Sequence, residues 1–220
     1  MDYQNIKKTL APMFLNRGYA ALSSNRMFVK DYGLFLVLFE PQPVHGMGFM
    51  LNCGVTFCWN IHGHITYDYY EVDSRIPGNP PKTEFLLFDD KQFYQKLGTM
   101  SYEIIRQTEE YDKMADINVL ETKLTRFYTE RKGKTGISNS ADHLAIVKIL
   151  LGKTEEARQL MEDNHESYFS RHGELFGLTD CAEEFRAYLA DAVNCTRADI
   201  SNKLKMKRGL TDISIEDYIK

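Results

Sequence analysis

Long apolar runs are missing from this sequence. No stretch approaches the ~18 apolar residues that a membrane helix needs, and the opening MDYQNIKKTLAPMF carries no secretory signal. The expectation is a cytoplasmic protein with no membrane partner. An excess of positive charge is missing too. The net charge is −4, with 7 basic and 9 acidic side chains in residues 1–90 and 20 and 22 in residues 91–220. No segment then offers the cationic face that a phosphate backbone requires, so nucleic acid is not an expected partner. The basic run KLKMKRG at 203–209 reads as a solvated helix end among acidic neighbours. Cysteine is sparse as well. Cys53, Cys58, Cys181 and Cys195 read as reduced thiols. Cys53 and Cys58 are five apart, so on one strand they fall on opposite faces and cannot chelate one ion together.

The usual catalytic signatures are also absent. GKT occurs twice, at 133–135 and 152–154, but a phosphate-binding loop needs a further glycine five residues earlier, where Tyr128 and Val147 stand. There is no G-x-S-x-G elbow, H-E-x-x-H pair or G-x-G-x-x-G turn. HGMG at 45–48 precedes a strand rather than a helix, which is the wrong context for an oxyanion or nucleotide loop. Cys181 with His165 or His172 would make a nucleophile pair only with a third, orienting group, and none is identifiable in the sequence. No cofactor is expected.

What is present is a change of period along the chain. Ile6, Leu10, Met13 and Phe14 predict an opening helix closed by Gly18, with Pro12 restricting or kinking it. From about 19 to 72 the period becomes two. LFLVLFE at 34–40 is apolar on both faces, as a strand covered on two sides would be. FMLNCGVTFCW alternates: Phe49, Leu51, Cys53, Val55, Phe57 and Trp59 share one face and Asn52, Gly54 and Thr56 the other, which predicts a half-buried antiparallel strand. After it, Ile65, Tyr67 and Tyr69 fall into register if residues 62–64 form a three-residue loop tipped by Gly63. That register opposes Trp59 to Tyr67 and Phe57 to Tyr69, and puts His62 and His64 at a wet hairpin end. SRIPGNPPKTE at 74–84 is a loop by its prolines and glycine.

Beyond it the chain reads as helical. Asp89 and Asp90 are candidate N-caps for a helix striped by Phe93, Leu97, Met100 and Ile104. Leu120, Leu124, Phe127 and Tyr128 stripe a second. Residues 141–163 read as an αα-hairpin, with Gly152 and Thr154 as caps, and resemble one tetratricopeptide-type helix pair without a second copy. Asp180 and Glu183 form a capping-box pattern before a helix through Phe185, Leu189 and Val193. The fold class expected is α+β: a sheet domain over 1–90 and a helical region over 91–220 packed against it.

The opening helix IKKTLAPMFLNRGY ending at Gly18-Tyr19, Gln42 after the apolar strand, and FMLNCGV with Asn52 and Gly54 together resemble a bacterial family of unknown function, DUF family 4304. The likeness covers less than half of the chain and implies an α+β sheet domain with no established reaction. His62-x-His64 followed by Asp68 resembles the first half of the cupin metal motif, but the second half has no counterpart downstream. Two functions follow. The favoured one is a non-enzymatic protein-binding module of the immunity or adaptor kind, with a basic protein as partner. The other is a small-molecule or metal-dependent enzyme working at the aromatic face (Trp59, Tyr67, Tyr69, Tyr70) or at His62 and His64, with Asp68 as a fallback metal candidate. Asn52, Trp59, Tyr67 and Tyr69 are the candidate ligand or partner contacts.

Overall fold

The computed structural model describes residues 3–22, 27–44, 48–59, 68–69, 75–76, 86–87, 89, 91–131, 138–164 and 182–219. It is α+β. Helix α1 (Tyr3–Leu15) leads into four strands, β1 (Ala20–Leu22), β2 (Met27–Asp31), β3 (Phe35–Val44) and β4 (Gly48–Phe57). Two-residue strands follow, β5 (Arg75–Ile76) and β6 (Leu86–Leu87), and both pair with β4. The remainder is helical: α2 (Phe93–Lys113), α3 (Ile117–Arg131), α4 (Ser138–Leu150), α5 (Thr154–Glu162) and α6 (Ala182–Lys203), with a closing 3-10 turn at Ile215–Tyr218. Among the described residues no helix is long and apolar enough to cross a membrane.

α1 runs through Pro12 and closes where glycine permits the turn. Gly18 has φ +79°, and the Tyr19 N–H reaches back to the Phe14 carbonyl at 3.1 Å, the long hydrogen bond of a Schellman cap. β1 to β4 form an antiparallel meander in chain order. Its longest ladder runs from Phe35↔Phe57 to Val44↔Gly48. Pro41 and Pro43 are tolerated in β3 because β2 pairs only as far as Phe39, so beyond that point β3 is an edge on the β2 side.

One face of this sheet meets α1 and α2. Phe14 stacks on Phe28 at 4.4 Å and tilts against Phe39 at 4.8 Å. Phe39 in turn meets Tyr111 of α2 edge-on at 6.2 Å, and the Cys53 thiol donates to Gln107 Oε1 at 2.9 Å. Each fully buried phenylalanine here contributes roughly 1.5–3 kcal/mol relative to an exposed one. The opposite face is buried at one end, where Val29, Leu36, Leu38 and Thr56 lie, and Asp31 on that face is gripped by Arg197 of α6. β3 is therefore covered on two sides, as its sequence predicts. β4 is buried more fully than its alternation predicts: Gly54 and Thr56 are closed off as well, and Asn52 alone of the three stays partly exposed.

The predicted stripes of α2 to α6 point inward: Phe93, Leu97, Met100, Ile104, Leu120, Leu124, Phe127, Tyr128, Leu144, Val147, Ala157, Leu160, Met161, Phe185, Leu189 and Val193 are buried, while Leu151, predicted on the same stripe as Leu144 and Val147, falls just past the end of α4 and is only half-buried against the core. Helix starts shift slightly from the expected caps. α2 begins after Gln92 rather than at Asp89 or Asp90, and Lys153 rather than Thr154 precedes α5.

Candidate functional site

β4 ends at Phe57, and the chain turns across Cys58 and Trp59, where the Cys58 N–H is held by the Leu34 carbonyl at 2.9 Å. The turn drives Trp59 into the core. Its indole Nε1 donates to Nδ1 of His143, on α4, at 2.9 Å. Since Nδ1 accepts, the neutral ring carries its proton on Nε2. That nitrogen lies 3.9 Å from Asp68 Oδ1, while Asp68 Oδ2 accepts the Phe57 N–H at 2.9 Å. Phe57 stacks on Trp59 at 4.7 Å and tilts against His143 at 4.5 Å. The result is a buried indole-to-imidazole hydrogen bond joining the sheet to α4 inside an aromatic wall, with the Asp68 carboxylate close by.

The arrangement contains a histidine beside a carboxylate, the pairing that serves general acid–base chemistry. Here it is sealed: the side chains of His143 and Asp68 are 5% and 1% exposed, and Trp59 occupies the imidazole nitrogen that an acceptor role would use. It acts as a tie between layers.

Tyr69 pairs with Val55, donating at 3.3 Å and accepting at 2.8 Å. This overturns the expected opposition of Phe57 to Tyr69. The Asp68 carboxylate takes the Phe57 N–H that a continuing ladder would have used, so Tyr69 bridges β4 two residues earlier while keeping its inward face. Tyr69 is fully buried and packs on Phe127 of α3 at 4.9 Å. Asp68 is thus brought to His143 rather than held out in a strand. His62, His64, Tyr67 and Tyr70 lie outside the described residues, as do Cys181, His165 and His172. Asn52 sits at the open end of the second sheet face, where its Nδ2 donates to Gln42 Oε1 at 2.9 Å and Glu40 Oε2 at 3.4 Å. Among the described residues no group of three histidine, cysteine or acidic side chains is placed to hold a metal ion.

A second cluster was not visible in the sequence. Arg197 of α6 is 1% exposed in its side chain. It grips Asp31 with two parallel bonds, Nη1 to Oδ1 at 2.7 Å and Nη2 to Oδ2 at 2.6 Å. It also donates to the Gly33 carbonyl at 2.7 Å and to the Thr211 carbonyl from both Nε and Nη2. Burial disfavours its charge, but Asp31 outweighs burial and the guanidinium is held above its ordinary range. Beside it, burial pushes the Cys58 thiol up to about 12. Neither cluster is open to a substrate.

The outer surface is different. Tyr94 and Tyr102, both on α2, are 73% and 69% exposed. Between them, four residues from each, stands Gly98, and a Cβ placed there would meet no atom within 4 Å. Two large rings about 12 Å apart along the helix thus bracket a bare stretch of backbone. His143, Arg197 and this notch all escaped the sequence reading. The signal for the notch was a glycine inside a helical stripe, where glycine is about 1 kcal/mol worse than alanine.

No family model, curated protein or solved structure matches this chain.

Proposed function

We propose that this chain is a non-enzymatic protein-binding module and that it engages its partner through the exposed face of α2. The observation that carries the reading is Gly98. A mid-helix glycine weakens a helix by roughly 0.5–1 kcal/mol relative to alanine, and at this position neither a positive φ nor a crowded neighbour requires it. It leaves a gap between two exposed tyrosines, the residue type that dominates the binding energy of protein interfaces. A partner side chain that enters the gap is clasped by both rings.

The net charge of −4 favours a protein, and a basic one, over nucleic acid. The reduced, buried thiols of Cys53 and Cys58 accord with a cytoplasmic setting. An immunity or adaptor role, and membership of the DUF family that the first ninety residues resemble, belong to the same proposal. The enzyme reading has less support, because Trp59 and Tyr69 are spent on the core.

The test is affinity capture from a lysate of the source cells, with wild type beside the Tyr94→Ala/Tyr102→Ala double variant. Each tyrosine acts as an anchor worth about 2 kcal/mol, roughly 30-fold in affinity, so the double variant loses the partner that wild type retains. Equal capture by both proteins contradicts the reading.

A further inference from the structure

We propose that the closing tail of this chain (residues 211–218) exchanges between two copies, so that a second copy is its partner and each tail fills the other copy's groove. The groove lies beneath the tail and is formed by Asn194 and Arg197 of α6 and by Gly33 of the β2–β3 turn. It shares no residue with the α2 notch and stands apart from that reading.

The tail is held as a bound peptide would be. Among the described residues it pairs with no strand, and side chains grip its backbone instead. Arg197, 1% exposed in its side chain, donates to the Thr211 carbonyl at 3.2 and 2.9 Å. The Asn194 side chain holds Ile213 at both backbone groups, donating to its carbonyl at 3.1 Å and accepting its N–H at 3.0 Å. Ile215 is buried, and the Tyr218 ring lies so close over Gly33 that a Cβ there would meet it at 2.1 Å. Between these anchors Asp212, Ser214, Glu216 and Asp217 are exposed. A departing tail takes an acceptor from the buried Arg197 and strips Ile215 of its cover. A second copy's tail carries the same four anchors at the same spacing, so it restores every one of them.

The hinge that releases the tail lies just before it. α6 ends in a Schellman cap, in which the Met206 N–H reaches the Ser201 carbonyl and the Lys205 N–H the Asn202 carbonyl, both at 3.1 Å. The left-handed position of that cap is Lys205, with φ +49°, the only non-glycine at positive φ among the described residues. α1 and α4 close with the same hydrogen bonds but place Gly18 and Gly152 there. A side chain in this conformation is strained. Residues 203–208 are lysine, leucine, methionine and arginine, all strong helix formers, and Gly209 is the first breaker. Their cations also suit a helix C-terminus. The local sequence therefore favours a longer α6, and the turn opposes it. Straightening the hinge relieves Lys205 and swings the tail off its own body, at the expense of the half-buried contacts of Leu204 and Met206. Strained hinges of this kind are where copies exchange identical elements. Since the groove contacts are the same in both forms, the balance is set by the hinge and by the entropy of association. Dilution favours the monomer, and high concentration favours the exchanged dimer.

The experiment warms the full chain at millimolar concentration to just below its melting temperature, cools it, and reads its mass by gel filtration with light scattering. A dimer is expected that returns to monomer only slowly on dilution. When ¹³C-labelled and unlabelled copies are mixed before warming, the NOE between the Gly33 α-protons and the Tyr218 ring crosses from one copy to the other. Lys205→Gly relaxes the turn and weakens the straightened helix. It therefore raises the dissociation constant of the dimer by roughly 25-fold, a factor of about five at each hinge. Tyr94→Ala/Tyr102→Ala leaves the dimer unchanged, which separates it from association through α2. Monomer alone after warming, a Gly33–Tyr218 NOE confined within single copies of the dimer, an equally stable Lys205→Gly dimer, or loss of the dimer in the tyrosine variant each overturns the proposal.

Discussion

Arg197 is charged and almost wholly enclosed, so its donors have to be met inside the fold, and they are met by Asp31, Gly33 and Thr211. Removing Arg197 leaves the Gly33 carbonyl without its buried donor, while Asp31, exposed at the surface, rehydrates, so the cost is about 1–3 kcal/mol. Arg197→Leu is therefore expected to lower the urea midpoint by the equivalent of that amount, a sizeable part of the roughly 5–15 kcal/mol typical of a domain; a shift equivalent to less than about 1 kcal/mol contradicts the assignment. Two glycines make a paired prediction of opposite sign. Gly33 has φ +81°, and a Cβ there would overlap the Tyr218 ring, so Gly33→Ala destabilises by about 1–2 kcal/mol or more. Gly98→Ala adds a methyl in open space and gains about 0.5–1 kcal/mol. Melting temperatures of the two variants should fall on either side of wild type. Thiol chemistry separates by burial in the same way. Cys195 is exposed, whereas Cys58 is enclosed with its thiol pushed up to about 12. Iodoacetamide at pH 8 should label Cys195 in the native protein and Cys58 only after unfolding, as peptide mapping would show. At this scale the sequence reveals little. Arg197 and Asp31 are 166 positions apart, and no period or motif links them. The Asp31 carboxylate accepting the Gly33 N–H at 2.8 Å is a local turn that D-Y-G does announce.

Among elements, the helices are joined at their surfaces by carboxylates shared between neighbours. Glu110 of α2 bonds Lys113 on its own helix and Lys123 of α3. Glu121 of α3 bonds Lys148 of α4 at 3.0 Å and Lys153 at 2.6 Å. Hydrogen bonds from Lys113, then Lys123, hold the Glu110 carboxyl at about 2, below its ordinary 4.5. Burial works upward on Glu121, but Lys153 and Lys148 outweigh it and its net shift is downward. A carboxyl that is lower in the folded state than in the unfolded state stabilises the fold fully above its unfolded value. That contribution is lost as pH falls through the folded value. The helical half should thus weaken between about pH 4.5 and pH 2, by a few tenths to about 1 kcal/mol per pair because these groups face solvent. Glu110→Gln should flatten the part of that loss due to Glu110, read as the slope of thermal stability against pH. An unchanged slope contradicts the tie. Elements were the most legible level in the sequence. A stripe such as Phe93, Leu97, Met100 and Ile104 has one consistent answer, the core, and LFLVLFE could only be covered on both sides. Register past Phe57 was not legible, because it depends on Asp68 capturing a backbone N–H across the turn, an event that leaves no trace in alternation.

For the whole molecule, the polar groups that look most like chemistry are turned to cohesion. Trp59, His143 and Asp68 tie the sheet to α4, and Arg197 ties the β2–β3 turn to α6 and the tail. The proposed function rests on the outer surface, where α2 carries two exposed tyrosines around a glycine that its helix would be stronger without. The inward-facing residues were legible as core candidates, since aromatic stripes on strands usually are. The notch was not, because it is defined by what a helix position lacks and by exposure that only packing reveals. The measurement that tests this most directly is the affinity of the captured partner for Gly98→Ala relative to wild type. The added methyl covers the bare backbone on which the partner group is proposed to rest, so binding is predicted to weaken by about tenfold, even though the variant itself melts higher. Undiminished binding in a more stable Gly98→Ala protein would contradict α2 as the binding face.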